Sequence, residues 1–366
     1  MELHSNGNNI ETSFNIEDTE AGEMKETIQT SSIPPTEPRW PSLVLALVWL
    51  VLQAACASLP KSPAPQPAPT AQELELSGTT ALIRAAARGD LGELQRLIEG
   101  GASVNEPSSL GITPLMAAAR KNQVVAVERL VAAGADPSLG DEQDSTALHY
   151  AALGSSPGAV TLLAKHGAKL ETKDAFDLTP LMMAVRFANL ETIKAFLAAG
   201  ASVHTADPNG WTALYFSIPR GDAAIFDLLM NHNPSLDQKD GEGASLVMLA
   251  LSYRQPFLVK RLIDAGVPLA LADGDGNTAL HLAVRERNQE AVGWLLAAGA
   301  PVNAQNDLGQ TPLMLAIQNQ DKPIVSLLMK AGADAALKDG LGRDGHAWAR
   351  RFHMPDEVLE GKGQRL

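Results

Sequence analysis

The 366-residue chain holds a single cysteine, Cys56, so no disulfide can form within it and its architecture must rest on packing. Aromatic residues are also scarce, at 4%. That leaves Ala, Leu and Gly to build the interior, a composition that suits closely spaced helices. Basic residues fall short of acidic ones, 29 against 42, for a formal charge of −13. An acidic body is repelled by phosphate backbones, so nucleic-acid binding is not expected. No apolar run reaches the ~20 residues that a membrane-spanning helix needs. Neither HExxH nor CxxC occurs, and there is no G-x-x-x-x-G-K-[ST] phosphate loop. Asp273-Gly274-Asp275-Gly276-Asn277 evokes a calcium loop but lacks the remaining ligands and the terminal Glu, so it reads as a turn. No enzyme activity, cofactor or metal is expected. Hydrophobic residues nevertheless make up 45% of the chain, enough for a sizeable core.

The charge is uneven. Eight acids (Glu2, Glu11, Glu17, Asp18, Glu20, Glu23, Glu26, Glu37) face only Lys25 and Arg39 before Cys56. Residues 1–40 are polar, acidic and without apolar period, and are expected to be disordered. Residues 41–57 contain the ten apolar residues Leu43–Leu52 (LVLALVWLVL), about 15 Å as a helix, which fits the core of an export signal better than a span. Ala54, Ala55 and Cys56 follow at once, and this arrangement resembles a bacterial lipoprotein signal, which implies acylation at Cys56. Gln53 departs from that pattern, since the place three before the cysteine usually holds Leu. Two other readings stand beside it: secretory cleavage after the trio Ala55-Cys56-Ala57, and an uncleaved anchor. Residues 58–77 carry alternating prolines (Pro60–Thr70, PKSPAPQPAPT), which favour an extended spacer of about 34 Å.

From residue 78 to 366 the chain repeats itself. Thr80, Thr113, Thr146, Thr179, Thr212, Ser245, Thr278 and Thr311 recur at intervals of 33, and Asp344 takes the ninth place. Five residues after each lies a small side chain: Ala85, Ala118, Ala151, Ala184, Ser217, Ala250, Ala283, Ala316 and Ala349. Twenty-one after each lies Gly101, Gly134, Gly167, Gly200, Asn233, Gly266, Gly299 and Gly332. The chemistry of each place is that of a helical hairpin. Threonine caps a first helix, with Pro114, Pro180 or Pro312 at its first position. Leu94, Val127, Val160, Ile193, Phe226, Val259, Val292 and Val325 form the buried stripe of a second helix, and the glycine closes it in a left-handed cap. Asn233-Pro234 replaces Gly-Ala once, and an altered turn is expected there.

This period, with Thr146-Ala147-Leu148-His149-Tyr150-Ala151 and Thr278-Ala279-Leu280-His281-Leu282-Ala283, resembles the ankyrin repeat family from about Gly78 to Leu359. The resemblance implies an all-α solenoid of eight stacked helix-turn-helix repeats with β-turn fingers and a C-terminal cap. It also implies structural roles for His149 and His281, whose rings would bond backbone between repeats.

The copies serve as an internal alignment, and the places that differ among them are those packing leaves open. Seven and eight residues after each threonine the chain varies most, where the family presents its concave surface. There Arg120, Lys121, Arg186, Phe187, Arg220, Tyr253 and Arg285 make a row of cations and aromatics, the side chains that dominate protein interfaces. Phe176, Trp211 and Leu178, beside the turn tips, are further candidates for contact. Tip aspartates such as Asp141, Asp174 and Asp240 could meet a basic partner but also suit local backbone bonding. A monomeric protein-binding scaffold is expected, held to a bacterial membrane by its N-terminal lipid or anchor and facing the periplasm or the cell surface. A secreted effector acting on proteins of another cell is the alternative.

Overall fold

In a computed structural model, residues 80–359 are described. The expected disordered region 1–40, the signal or anchor segment 41–57 with Cys56, and the linker 58–77 all lie outside them. The described residues form seventeen α-helices and no β-strand. First helices are α1 (Ala81–Arg88), α3 (Pro114–Arg120), α5 (Ala147–Leu153), α7 (Pro180–Phe187), α9 (Ala213–Arg220), α11 (Leu246–Ser252), α13 (Ala279–Arg285), α15 (Pro312–Gln318) and α17 (Gly345–Arg351). Second helices are α2 (Leu91–Glu99), α4 (Val124–Ala132), α6 (Pro157–Lys165), α8 (Leu190–Ala198), α10 (Ala223–Met230), α12 (Pro256–Asp264), α14 (Gln289–Ala297) and α16 (Lys322–Lys330). Each first helix packs against the first helices of its neighbours and, in the first eight copies, against the second helix of its own copy.

The repeat chemistry is realised in detail. Thr113, Thr179 and Thr311 accept the N–H of Met116, Met182 and Met314 at 3.3, 3.3 and 3.4 Å. Asp344 does the same for Ala347 at 2.8 Å, which explains why aspartate can stand ninth in a row of threonines. Every alanine at the fifth place is buried, as is the whole stripe from Leu94 to Val325. Neighbouring first helices approach over these methyl groups, so a long side chain there would prise the copies apart.

The left-handed cap is present in each second helix. Gly200 has φ +95°, and Ala201 N–H reaches Phe196 O at 3.0 Å. The turn at Asn233-Pro234 differs less than its sequence suggests. Asn233 also adopts a left-handed conformation (φ 51°), and helix α10 ends one residue early. What is lost is one bond, because Pro234 has no N–H to return to the helix.

The fingers between copies are turns held by one acceptor each. Asp174 Oδ1 accepts Phe176 and Leu178 N–H (2.9 and 3.0 Å), and Asp207, Asp240, Asp273 and Asp339 repeat the pattern. Isolated antiparallel bridges link Ala206 to Thr212, Lys239 to Ser245 and Ala272 to Thr278. At the C-terminal end Trp348 is buried against Asp339, with Arg343 over its ring at 4.8 Å, and Met354 and Leu359 close the core.

Candidate protein-binding surface

The varied row falls where the first helices end. Lys121 caps α3 and is exposed, Arg285 ends α13 and is exposed, and Phe187 and Tyr253 are 39% and 43% exposed. Arg186 is half-buried, its guanidinium 5.2 Å from the Phe187 ring and 5.9 Å from the Phe216 ring. Burial pushes that guanidinium below its ordinary pKa. Cation and ring therefore form one patch at the end of α7. Arg120 is half-buried at the end of α3.

Arg220 departs from the expectation. Its Nη1 donates to Val185 O at 3.1 Å and Ala188 O at 2.7 Å, stapling the fifth copy to carbonyls left open at the end of α7. Its head is committed to the fold, so charge reversal at Arg220 would disturb stability as well as binding. Trp211 departs further. It stacks on Tyr215 at 5.0 Å and meets the edge of Phe216 at 5.6 Å, with Nε1 buried and lacking a hydrogen-bond partner. Leu178 is buried. Proximity to a turn thus leaves Leu178 buried and Trp211 only partly exposed, since Trp211 packs on Tyr215 and Phe216 of α9. Phe176 is the tip residue that does stand out, at 63% exposure.

The two buried histidines, His149 and His281, hold structural bonds. His149 Nδ1 accepts the Thr146 N–H at 3.0 Å, so Nε2 carries the proton it donates to Leu178 O at 3.0 Å. His281 repeats this with Thr278 and Gln310 O at 3.1 and 3.0 Å. Burial depresses both pKa values, and a protonated Nδ1 would face the very N–H it now binds. In the second, fourth and sixth copies methionine sulfur occupies the same place: Met116, Met182 and Met248 accept the cap N–H at 3.3, 3.4 and 3.4 Å.

One serine motif escaped the sequence reading. Gly154-Ser155-Ser156-Pro157-Gly158 has the G-x-S-x-G spacing of a nucleophile elbow. Ser156 is fully buried, leads into α6 and donates to Arg120 O at 3.3 Å, so it acts as a joint between copies. Arg254 and Arg287 were also missed. Both are exposed, follow a first helix directly and hold left-handed backbone (φ 53° and 54°). The signal was available one place beyond the variable pair, where Gly89 and Gly221 stand in other copies. The described residues contain no group of three or more His, Cys, Asp or Glu suited to a metal. None of their helices is long and apolar enough to cross a membrane.

Comparison with protein families matches the description "Ankyrin repeats (3 copies)" over residues 66–141, 82–174, 126–207, 148–240, 181–270 and 247–339. These segments overlap across more than half of the chain, and the protein belongs to the ankyrin repeat family. Among solved structures it is similar to the human ASB11 ankyrin repeat domain, with TM-score 0.51 and 23% identity over 61% of this chain and 99% of that one. That likeness concerns the fold. No curated protein matches the sequence.

Proposed function

We propose that the protein is a binding scaffold held at the bacterial cell envelope, gripping a partner protein along the ends of its first helices. The ankyrin stack supports a protein-protein interaction role. One observation carries the choice of surface: at these helix ends packing positions stop, the copies diverge, and Phe187 and Tyr253 stay exposed. Large apolar side chains left in water beside arginine are the usual makings of an interface core. The envelope location rests on sequence alone, on the apolar run Leu43–Leu52 followed by Cys56 and the proline-rich spacer. A single acyl chain would hold only weakly, so two or more chains on Cys56 are required.

Two measurements test this reading. Mass spectrometry of the mature N-terminus should find a lipid-modified Cys56; a free Ser58 would point to the secreted effector instead. Crosslinking pull-down from cell envelopes should capture a partner with the native chain and lose it with Phe187→Ala plus Tyr253→Ala. Undiminished capture by that variant would remove the site.

A further inference from the structure

Charge is distributed across this stack in a way that packing does not require. The three places that end and follow each first helix carry nine cations and one acid, Glu286, over the nine copies. The finger tips, from five to two places before the cap in copies two to nine, carry twelve acids and no cation. The chain as a whole is acidic at −13, so a basic row runs against its composition.

The tip acids have a local explanation in their backbone bonds. The cations have one only in part. Arg220 staples two copies, whereas Lys121, Arg254, Arg285 and Arg287 are exposed, and Arg254 meets only Glu286, at 3.9 Å. Arg254 and Arg287 share their left-handed backbone with Asn122, Ser155, Gln320 and His353 at the same place, so the turn itself does not call for arginine there.

We infer that this row binds an acidic, extended segment of the partner, with carboxylates on Arg254, Arg285 and Arg287 and apolar side chains on Phe187 and Tyr253. The inference rests on the scaffold reading above and names the partner's chemistry. Spacing supports an extended ligand. Packed helices lie about 8–10 Å apart, and three residues of polyproline II advance about 9 Å. A segment with an acid at every third place therefore presents one carboxylate per repeat, to Arg254 in the sixth copy and to the Arg285 and Arg287 pair in the seventh. Arginine heads meet carboxylates through two parallel bonds, and the adjoining rings exclude water around them.

The probe is a fluorescein-labelled peptide of about 12 residues in polyproline II form, with Glu every third place and Pro and Phe between. Its Lys-for-Glu counterpart is the control, and anisotropy with the full chain is the readout. The acidic peptide should bind and the basic one should not. Binding should weaken at least tenfold as salt rises from about 0.05 to 0.3 M. Arg254→Glu/Arg285→Glu/Arg287→Glu should abolish it with an unchanged circular dichroism spectrum, and Tyr253→Ala should weaken it severalfold. Equal binding of both peptides, or binding that survives the triple reversal, overturns the inference. So does self-association of the chain, lost in the triple reversal, without peptide binding: the basic row would then meet the acidic fingers of a second copy. If the peptide fails while envelope capture still depends on Phe187 and Tyr253, the acidic chemistry falls and the scaffold stands.

Discussion

Among the described glycines, Gly154 is where an added methyl would come nearest to backbone, so Gly154→Ala separates packing from propensity. Gly154 ends α5 with φ −82° and ψ −2°, a conformation alanine adopts freely. On backbone grounds the substitution should stabilise by about 0.5–1 kcal/mol. The third dimension reverses the sign. A methyl at this place would lie 1.8 Å from Arg120 O and 2.5 Å from Arg120 C, both backbone atoms of the preceding copy. Ordinary carbon–oxygen contact is about 3.3 Å, so α3 and α5 would have to separate by about 1.5 Å. That movement would strain the Ala118, Ala119, Ala151 and Ala152 layer and the Ser156–Arg120 bond. Overpacking of this kind costs about 1–3 kcal/mol, and the upper end applies because the obstacle is backbone. A net loss of about 2 kcal/mol follows. Gly293→Ala is the matched control. Gly293 lies within α14, and a methyl there meets nothing within 4 Å, so this change should stabilise by about 1 kcal/mol. Urea unfolding followed at 222 nm reads both, with midpoints moving in opposite directions. A Gly154→Ala midpoint at or above that of the native chain would refute the close approach of the second and third copies.

The remaining predictions concern caps and buried titrating groups. Gly200→Val should cost more than ~1 kcal/mol through backbone alone, since φ is +95° and the added atom meets nothing, while Gly200→Asn should cost less, as Asn233 shows; thermal melts rank the two. His149 and His281 have folded pKa values depressed below 6.5, so the unfolded chain takes up their protons first. Their contribution is intact above that value and is lost as pH falls below it; His149→Met/His281→Met should flatten the melting temperature between about pH 7.5 and 5.5. Burial raises the Asp174 pKa against bonds from Leu178 and Phe176, and its Oδ2 lacks a hydrogen-bond partner, so its charge weighs against the fold once pH exceeds that raised value. Asp174→Asn should stabilise by about 1 kcal/mol at neutral pH. For Asp339, burial raises the pKa, but bonds from Arg343 and Trp348 outweigh it and hold the carboxyl below its usual range. Its contribution is present at neutral pH and lost on acidification below about 3.8, and Asp339→Asn should cost about 2 kcal/mol in the same unfolding assay.

What the sequence determined by itself is the repeat and everything local to it. Thr113 and Asp344 cap helices because their oxygens lie one turn from orphan amides, and Gly200 closes a helix because its own φ is positive; such relations span a few residues and survive in a linear string. The buried stripe from Leu94 to Val325 was legible for the same reason, since a helix places it by period alone. The tertiary structure alone decided which varied places are open. Arg220 reaches carbonyls 32 and 35 residues earlier, Trp211 is half-buried against α9, and Gly154 is pressed by a neighbour whose distance depends on four alanines in two copies. Whether a side chain at such a place is free, stapled or excluded depends on the gap between stacked copies. Every pair of neighbours sets that gap jointly, so no single repeat states it.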